Sequence, residues 1–162
     1  MNTKTVYSTK AENYAKYRWD YAHNSIEAIF EIAQLSSVSS VADIGAGTGI
    51  LTKHFVGQVQ KVYAIEPNIE MRQIAMKELG SFPAVSVIDS SAEATKLPKQ
   101  SVDLITVAQS IHWFDPKPTK QEMLRILKEN GWLAIIRNHG TDENFGKEIG
   151  RLMTEEYGAD LS

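Results

Sequence analysis

A doubly wound α/β architecture with a mostly parallel sheet is what this sequence of 162 residues predicts. Two patterns predict it. Short apolar runs alternate with stretches of helical periodicity, which implies right-handed crossovers between parallel strands. One of those runs passes into a dense glycine loop, "VADIGAGTGILT" at 41–52, where the backbone must come close to something else.

Taken in order, the chain begins with a polar arm carrying Tyr7, Tyr14, Tyr17, Trp19 and Tyr21 without a clean period. Residues 1–24 are read as an arm or lid and 25–162 as the core. In "SIEAIFEIAQL", Ile26, Ile29, Phe30 and Ala33 recur at helical spacing, with Ser25 the expected N-cap. "SVADI" is a short buried strand. After the glycines, Leu51, Phe55 and Val56 begin a helix that Gly57 can end. "KVYAI" is a second strand, stopping at Glu66. Pro67 and Asn68 open a helix with Met71, Ile74, Ala75 and Leu79 on one face and Gly80 as its stop. "AVSVI" is a third strand ending at Asp89, and "VDLITVA" a fourth, nearly all apolar as a central parallel strand should be. Asp115 and Pro116 start a helix that turns Met123, Leu124 and Leu127 inward and stops at Asn130-Gly131. "WLAIIR" is a fifth strand, and Ile149, Leu152 and Met153 mark a last helix. No repeat, low-complexity tract or second-domain boundary interrupts the pattern.

Composition narrows the function classes. A hydrophobic fraction of 43% and a charged fraction of 23% are ordinary for a globular domain. A net charge of −3 provides no basic field for a polyanion, which counts against nucleic acid as a partner. No run approaches the roughly 18 apolar residues of a membrane helix, so no membrane partner is expected. The first residues have no apolar signal core. Without cysteine there is no disulfide framework, thiolate metal site or thiol nucleophile. His23, His54, His112 and His139 are not spaced as metal pairs, so no metal is expected. A cytoplasmic protein fits these absences.

In a doubly wound sheet, ligands bind beyond the carboxyl ends of the strands where strand order reverses. The candidate site is therefore Gly45–Gly49, Glu66, Asp89–Glu93, Gln109–Phe114 and Asn138–His139. A dinucleotide loop reads G-x-G-x-x-G; here the third glycine comes one residue early, and Ile50 fills the expected slot. A phosphate loop ending in Gly-Lys is absent. Glu66 lies where such folds place an acid against ribose hydroxyls. Asp43 adds a second carboxylate, which would repel a pyrophosphate and suit a ligand carrying an ammonium and a sulfonium. The set favours a cationic nucleoside.

Taken jointly, "VADIGAGTGILT", "YAIEPN", "SSAEATKLPKQSVDLITVAQSIHWFD" and "LKENGWLAII" resemble the class I S-adenosylmethionine-dependent methyltransferases, and within them the small-molecule branch with trans-aconitate methyltransferase-like proteins. The resemblance covers roughly residues 7–140. It implies a Rossmann-like methyltransferase fold, S-adenosylmethionine as cofactor and S-adenosylhomocysteine as product. Gly45, Ala46 and Gly47 would follow the methionine tail, with Asp43 orienting its amino group. Glu66 would take the ribose hydroxyls, Pro67 and Asn68 would flank the adenine, and Ser91 and Ala92 would line its edge. Gln109 would sit beneath the cofactor near the reacting methyl. Tyr14, Tyr17 and Arg18 would close as a lid, Arg18 pairing a carboxylate. The family fold usually adds an antiparallel strand hairpin after the fifth helix, which this chain is expected to lack. The sheet edge so left would invite association, and a homodimer is one outcome.

Methyl transfer from a sulfonium depends on alignment, worth about 7–11 kcal/mol, and on exclusion of water more than on covalent help. A small-molecule acceptor reacting through an oxygen of an acid or hydroxyl is expected. Should a base act, His112 in "SIHWFD" is the first candidate. Its alternative is to cap the strand end while Trp113 and Phe114 pack as core. Two other functions compete: a module that binds the cofactor without turnover, and a nicotinamide-dependent oxidoreductase.

Overall fold

The computed structural model describes residues 20–137. Tyr14, Tyr17, Arg18, His139 and the helix expected near Ile149 lie outside them. The described chain runs α1 (His23–Ile32), β1 (Ser40–Ile44), a 3-10 turn (Thr52–Phe55), β2 (Lys61–Ile65), α2 (Ile69–Leu79), β3 (Val85–Ile88), β4 (Val102–Ala108), a second 3-10 turn (Ile111–Trp113), α3 (Pro116–Ile126) and β5 (Leu127–Ile136).

Five strands form one parallel sheet in the order β3-β2-β1-β4-β5. The chain builds outward from β1 to β3, then returns to place β4 on the other side of β1. Strand order therefore reverses between β1 and β4, and a crevice opens beyond their carboxyl ends. Both faces of the sheet are covered. On one, Ala42, Ile44, Ile105 and Val107 pack with Met123 and Ile126 of α3. On the other, Val41, Val62 and Leu104 pack with Ile26 of α1 and with Phe55, whose ring stacks on Phe30 at 5.5 Å. Burial on two faces explains why β1 and β4 read as nearly continuous apolar runs.

Local expectations needed four corrections. Helix α1 starts two residues before Ser25, with Ala22 at the N-cap and no side-chain cap. The helix expected after the glycines is a single 3-10 turn. Helix α3 ends at Ile126, so Asn130 and Gly131 lie inside β5 instead of stopping a helix. Its last carbonyls explain the early stop: Gln100 N donates to Arg125 O and Ser101 N to Ile126 O, which ties the helix end to the start of β4. Leu124 faces solvent at 66% exposure, while Met123 is buried and Leu127 packs on the core.

Candidate functional site

A cavity of about 420 Å³ occupies the crevice at the strand-order reversal, within the roughly 300–1,000 Å³ usual for small-molecule sites. Its lining comes from the segments following β1, β2 and β4, together with Tyr21 and Met71. Asp43, Gly45, Ala46, Gly47, Glu66, Pro67, Asn68 and Gln109 all lie in it. Separate stretches of chain thus meet at the one place the topology provides.

Four amides of the glycine loop are used within the protein. Gly45 N and Ala46 N both donate to Ile65 O at 2.9 and 3.0 Å, and Gly49 N donates to Ala46 O at 3.0 Å. Gly47 N donates to Glu66 Oε2 at 2.8 Å. A phosphate-binding loop works by aiming such amides at the anion; these four are already occupied. The second and third glycines serve different ends. A Cβ on Gly49 would lie 2.5 Å from Leu79 Cδ1, so that residue lets the loop pack on α2. Gly47, with φ +58°, has no protein atom within 4 Å of the position its Cβ would take, which leaves open space beside the backbone.

Glu66 is buried and held at both oxygens: Gly47 N donates to Oε2 and Asn68 N to Oε1, each at 2.8 Å. Each oxygen keeps one acceptor site for a ligand hydroxyl. Asn68 fixes the next element, its Oδ1 accepting from Glu70 N and Met71 N as the N-cap of α2. Arg72 braces the same turn by donating to the carbonyls of Glu66 and Pro67 at 3.0 and 2.9 Å.

Asp43 is only 1% exposed. Thr52 Oγ1 donates to its Oδ2 at 2.6 Å and Thr106 Oγ1 to its Oδ1 at 3.0 Å. Burial pushes its carboxyl up to about 6, and the nearby Glu66 charge adds to that rise against the two threonine hydrogen bonds. With Glu66, it makes the lining acidic, and no lysine, arginine or histidine lines the cavity among the described residues.

The segment after β4 forms the opposite wall. Gln109 has φ +59°, rare for a residue with a side chain, and its Nε2 is buried without a partner. Ser110 Oγ donates to Ile44 O at 3.2 Å, tying this wall to the end of β1. Trp113 lines the cavity while 80% exposed, so it stands at the mouth; Phe114 lines it and packs on the core. Packing as core therefore describes Phe114 and not Trp113. His112 is outside the lining, exposed, with its ring 4.9 Å from that of Trp113. Ser91 and Ala92 are not in the lining either: Ala92 is buried in the core and Ser91 bridges to Ala94.

Sequence reading passed over Thr52, Thr106 and Arg72, named Tyr21 only as one aromatic of the arm, and placed Met71 only in the core. Thr106 left one signal, a lone hydroxyl in an apolar strand. Its role depends on the parallel register that sets it beside Asp43. Among the described residues no cluster of side chains could hold a metal, and no helix is long and apolar enough to cross a membrane.

Comparison with known proteins bears on the family and the fold. A family model described as a methyltransferase domain matches residues 42–135. An uncharacterized methyltransferase of Schizosaccharomyces pombe is 32% identical over 134 residues, covering 82% of this chain and 52% of its relative. A ubiquinone/menaquinone biosynthesis C-methyltransferase of Hahella chejuensis is 32% identical, covering 74% of this chain and 48% of that one. The crystal structure of the YcgJ protein from Bacillus subtilis superposes with a TM-score of 0.66 at 26% identity, over 82% of this chain and 58% of its own. The chain spans about half the length of the curated relatives it matches.

Proposed function

The chain belongs to the methyltransferase-domain family, whose methyl donor is S-adenosylmethionine, and on that premise we propose that it transfers the donor's methyl to an oxygen of a small acid or hydroxyl compound. One observation carries the reading of the site: two buried carboxylates, Asp43 and Glu66, accompany a loop whose Gly45, Ala46, Gly47 and Gly49 amides are already hydrogen-bonded within the protein. That combination suits a cationic nucleoside better than a pyrophosphate.

In this reading Glu66 accepts from the ribose hydroxyls with its two remaining acceptor sites, and Asp43 attracts the ammonium. Pro67 and Asn68 flank the adenine. Gly45, Ala46 and Gly47 leave room for the methionine portion. The lid role expected of Tyr14 and Arg18 falls outside the described residues; the described stretch that follows them places Tyr21 in the lining. The sulfonium supplies an electrophilic methyl and a neutral leaving group, so the chain's task is to align the acceptor and exclude water. A carboxylate acceptor needs no general base; a hydroxyl acceptor would draw on His112, adjacent to the lining Trp113.

Titration calorimetry tests the donor site. S-adenosylhomocysteine should bind and NAD should not, and Glu66→Ala should weaken binding by at least about tenfold. Absence of any heat with S-adenosylmethionine or S-adenosylhomocysteine would end this reading. The acceptor is tested by transfer of labelled methyl to a panel of small acids, hydroxyl compounds and a quinol. The quinol is included because one relative is named a C-methyltransferase of quinone biosynthesis. Label on carbon would overturn the oxygen assignment, and binding without any transfer would favour a module without turnover.

A further inference from the structure

We propose that the side-chain amide of Gln109 donates the hydrogen bond that holds the carboxylate of the methyl donor's methionine portion. This rests on reading the cavity as an S-adenosylmethionine site. That ligand brings one anionic group into a lining whose charged residues, among those described, are Asp43 and Glu66, both acidic. The carboxylate needs donors and must stay off those two side chains. In the glycine loop, the amides of Gly45, Ala46, Gly47 and Gly49 all donate within the protein and are not free for it.

Two lining residues retain a buried polar side-chain atom with no partner, Thr48 Oγ1 and Gln109 Nε2. A second, independent observation separates them. Gln109 alone of the non-glycine lining residues has a left-handed backbone, φ +59°, held there while its N donates to Ile136 O at 3.0 Å in continuation of the β4–β5 ladder. Glycine would adopt that conformation at little cost. A glutamine kept in a strained conformation, with an amide the protein does not satisfy, is the pattern of a residue retained for a ligand. Its position fits the charge problem as well. Asp43 and Glu66 lie at the ends of β1 and β2, whereas Gln109 follows β4 across the strand-order reversal. The ammonium can then face Asp43 while the carboxylate points to the β4 side. The terminal torsion of a glutamine is soft, so Nε2 can turn from its buried position to the ligand.

The test compares two ligands on the full chain by titration calorimetry: S-adenosylhomocysteine and S-adenosyl-3-thiopropylamine, which lacks only the carboxylate. Gln109→Glu, the same shape with an acceptor in place of the donor, should weaken S-adenosylhomocysteine by about tenfold or more. It should leave the decarboxylated ligand within about twofold of wild type. Gln109→Met, which keeps length without a donor, should show the same selective loss and guards against a folding defect in the charged variant. Equal losses for both ligands, or no loss for either, would overturn the assignment. A wild-type chain that binds neither ligand overturns the donor reading itself and this assignment with it.

Discussion

Two buried carboxylates in different parts of the fold are treated in opposite ways. Glu122, on α3, is 9% exposed, and Asp43, at the end of β1, is 1% exposed. Glu122 receives everything a buried anion needs. Arg125 Nε and Nη2 donate to its two oxygens at 2.7 and 2.8 Å, and Thr95 gives it both N–H and hydroxyl at 2.8 and 2.6 Å. Arg125 foremost, then the Thr95 bonds, hold its carboxyl down to about 2 in spite of burial. Asp43 receives two hydroxyls and a neighbouring carboxylate, and its carboxyl rises to about 6. The first arrangement fastens the β3–β4 loop to α3, since Arg125 also donates to Leu97 O. The second leaves a charge that folding does not compensate, beside a cavity that a cation would fill.

Breaking the first arrangement should have the largest effect. Glu122→Ala strands Arg125 and the Thr95 donors and should cost about 3 kcal/mol, the low end for a broken buried pair because Arg125 is partly exposed. Urea unfolding with an unchanged m-value would measure it. Asp43→Asn should act in the other direction, stabilising the unliganded protein at pH 7.5 by about 1–2 kcal/mol while weakening S-adenosylhomocysteine binding. Thermal unfolding with and without the ligand reads both effects. A variant that lost stability and kept affinity would remove the distinction between the two sites.

The smallest effect is in the pH profiles, where the sites should show opposite slopes. Asp43 has a raised carboxyl in the folded state, so its favourable contribution is full below about 3.8 and is lost as pH rises through about 6. The advantage of Asp43→Asn over wild type should therefore grow between those values and level off above. Glu122 has a lowered carboxyl, so its contribution is present above 4.5 and is lost as pH falls toward about 2. The deficit of Glu122→Ala should shrink over that acid range. Parallel profiles from unfolding scans between pH 3 and pH 8 would contradict the comparison.

The sequence by itself determined the strands, their parallel arrangement and the loop that ends β1. Those follow from local periodicity and from glycines whose neighbours are close in the chain. It also located Glu66, because the end of the second apolar run is a sequence position as much as a spatial one. Helix ends were less legible. Nothing in "RILKENGW" shows that the amides of Gln100 and Ser101 will end α3 at Ile126. The character of Asp43 was decided only in three dimensions, since its partner Thr106 is 63 residues away and meets it through sheet register. The same holds for Gln109. Its residue type is visible in the chain, but its left-handed backbone and unpaired amide arise just past the end of β4, a consequence of packing that no local pattern encodes.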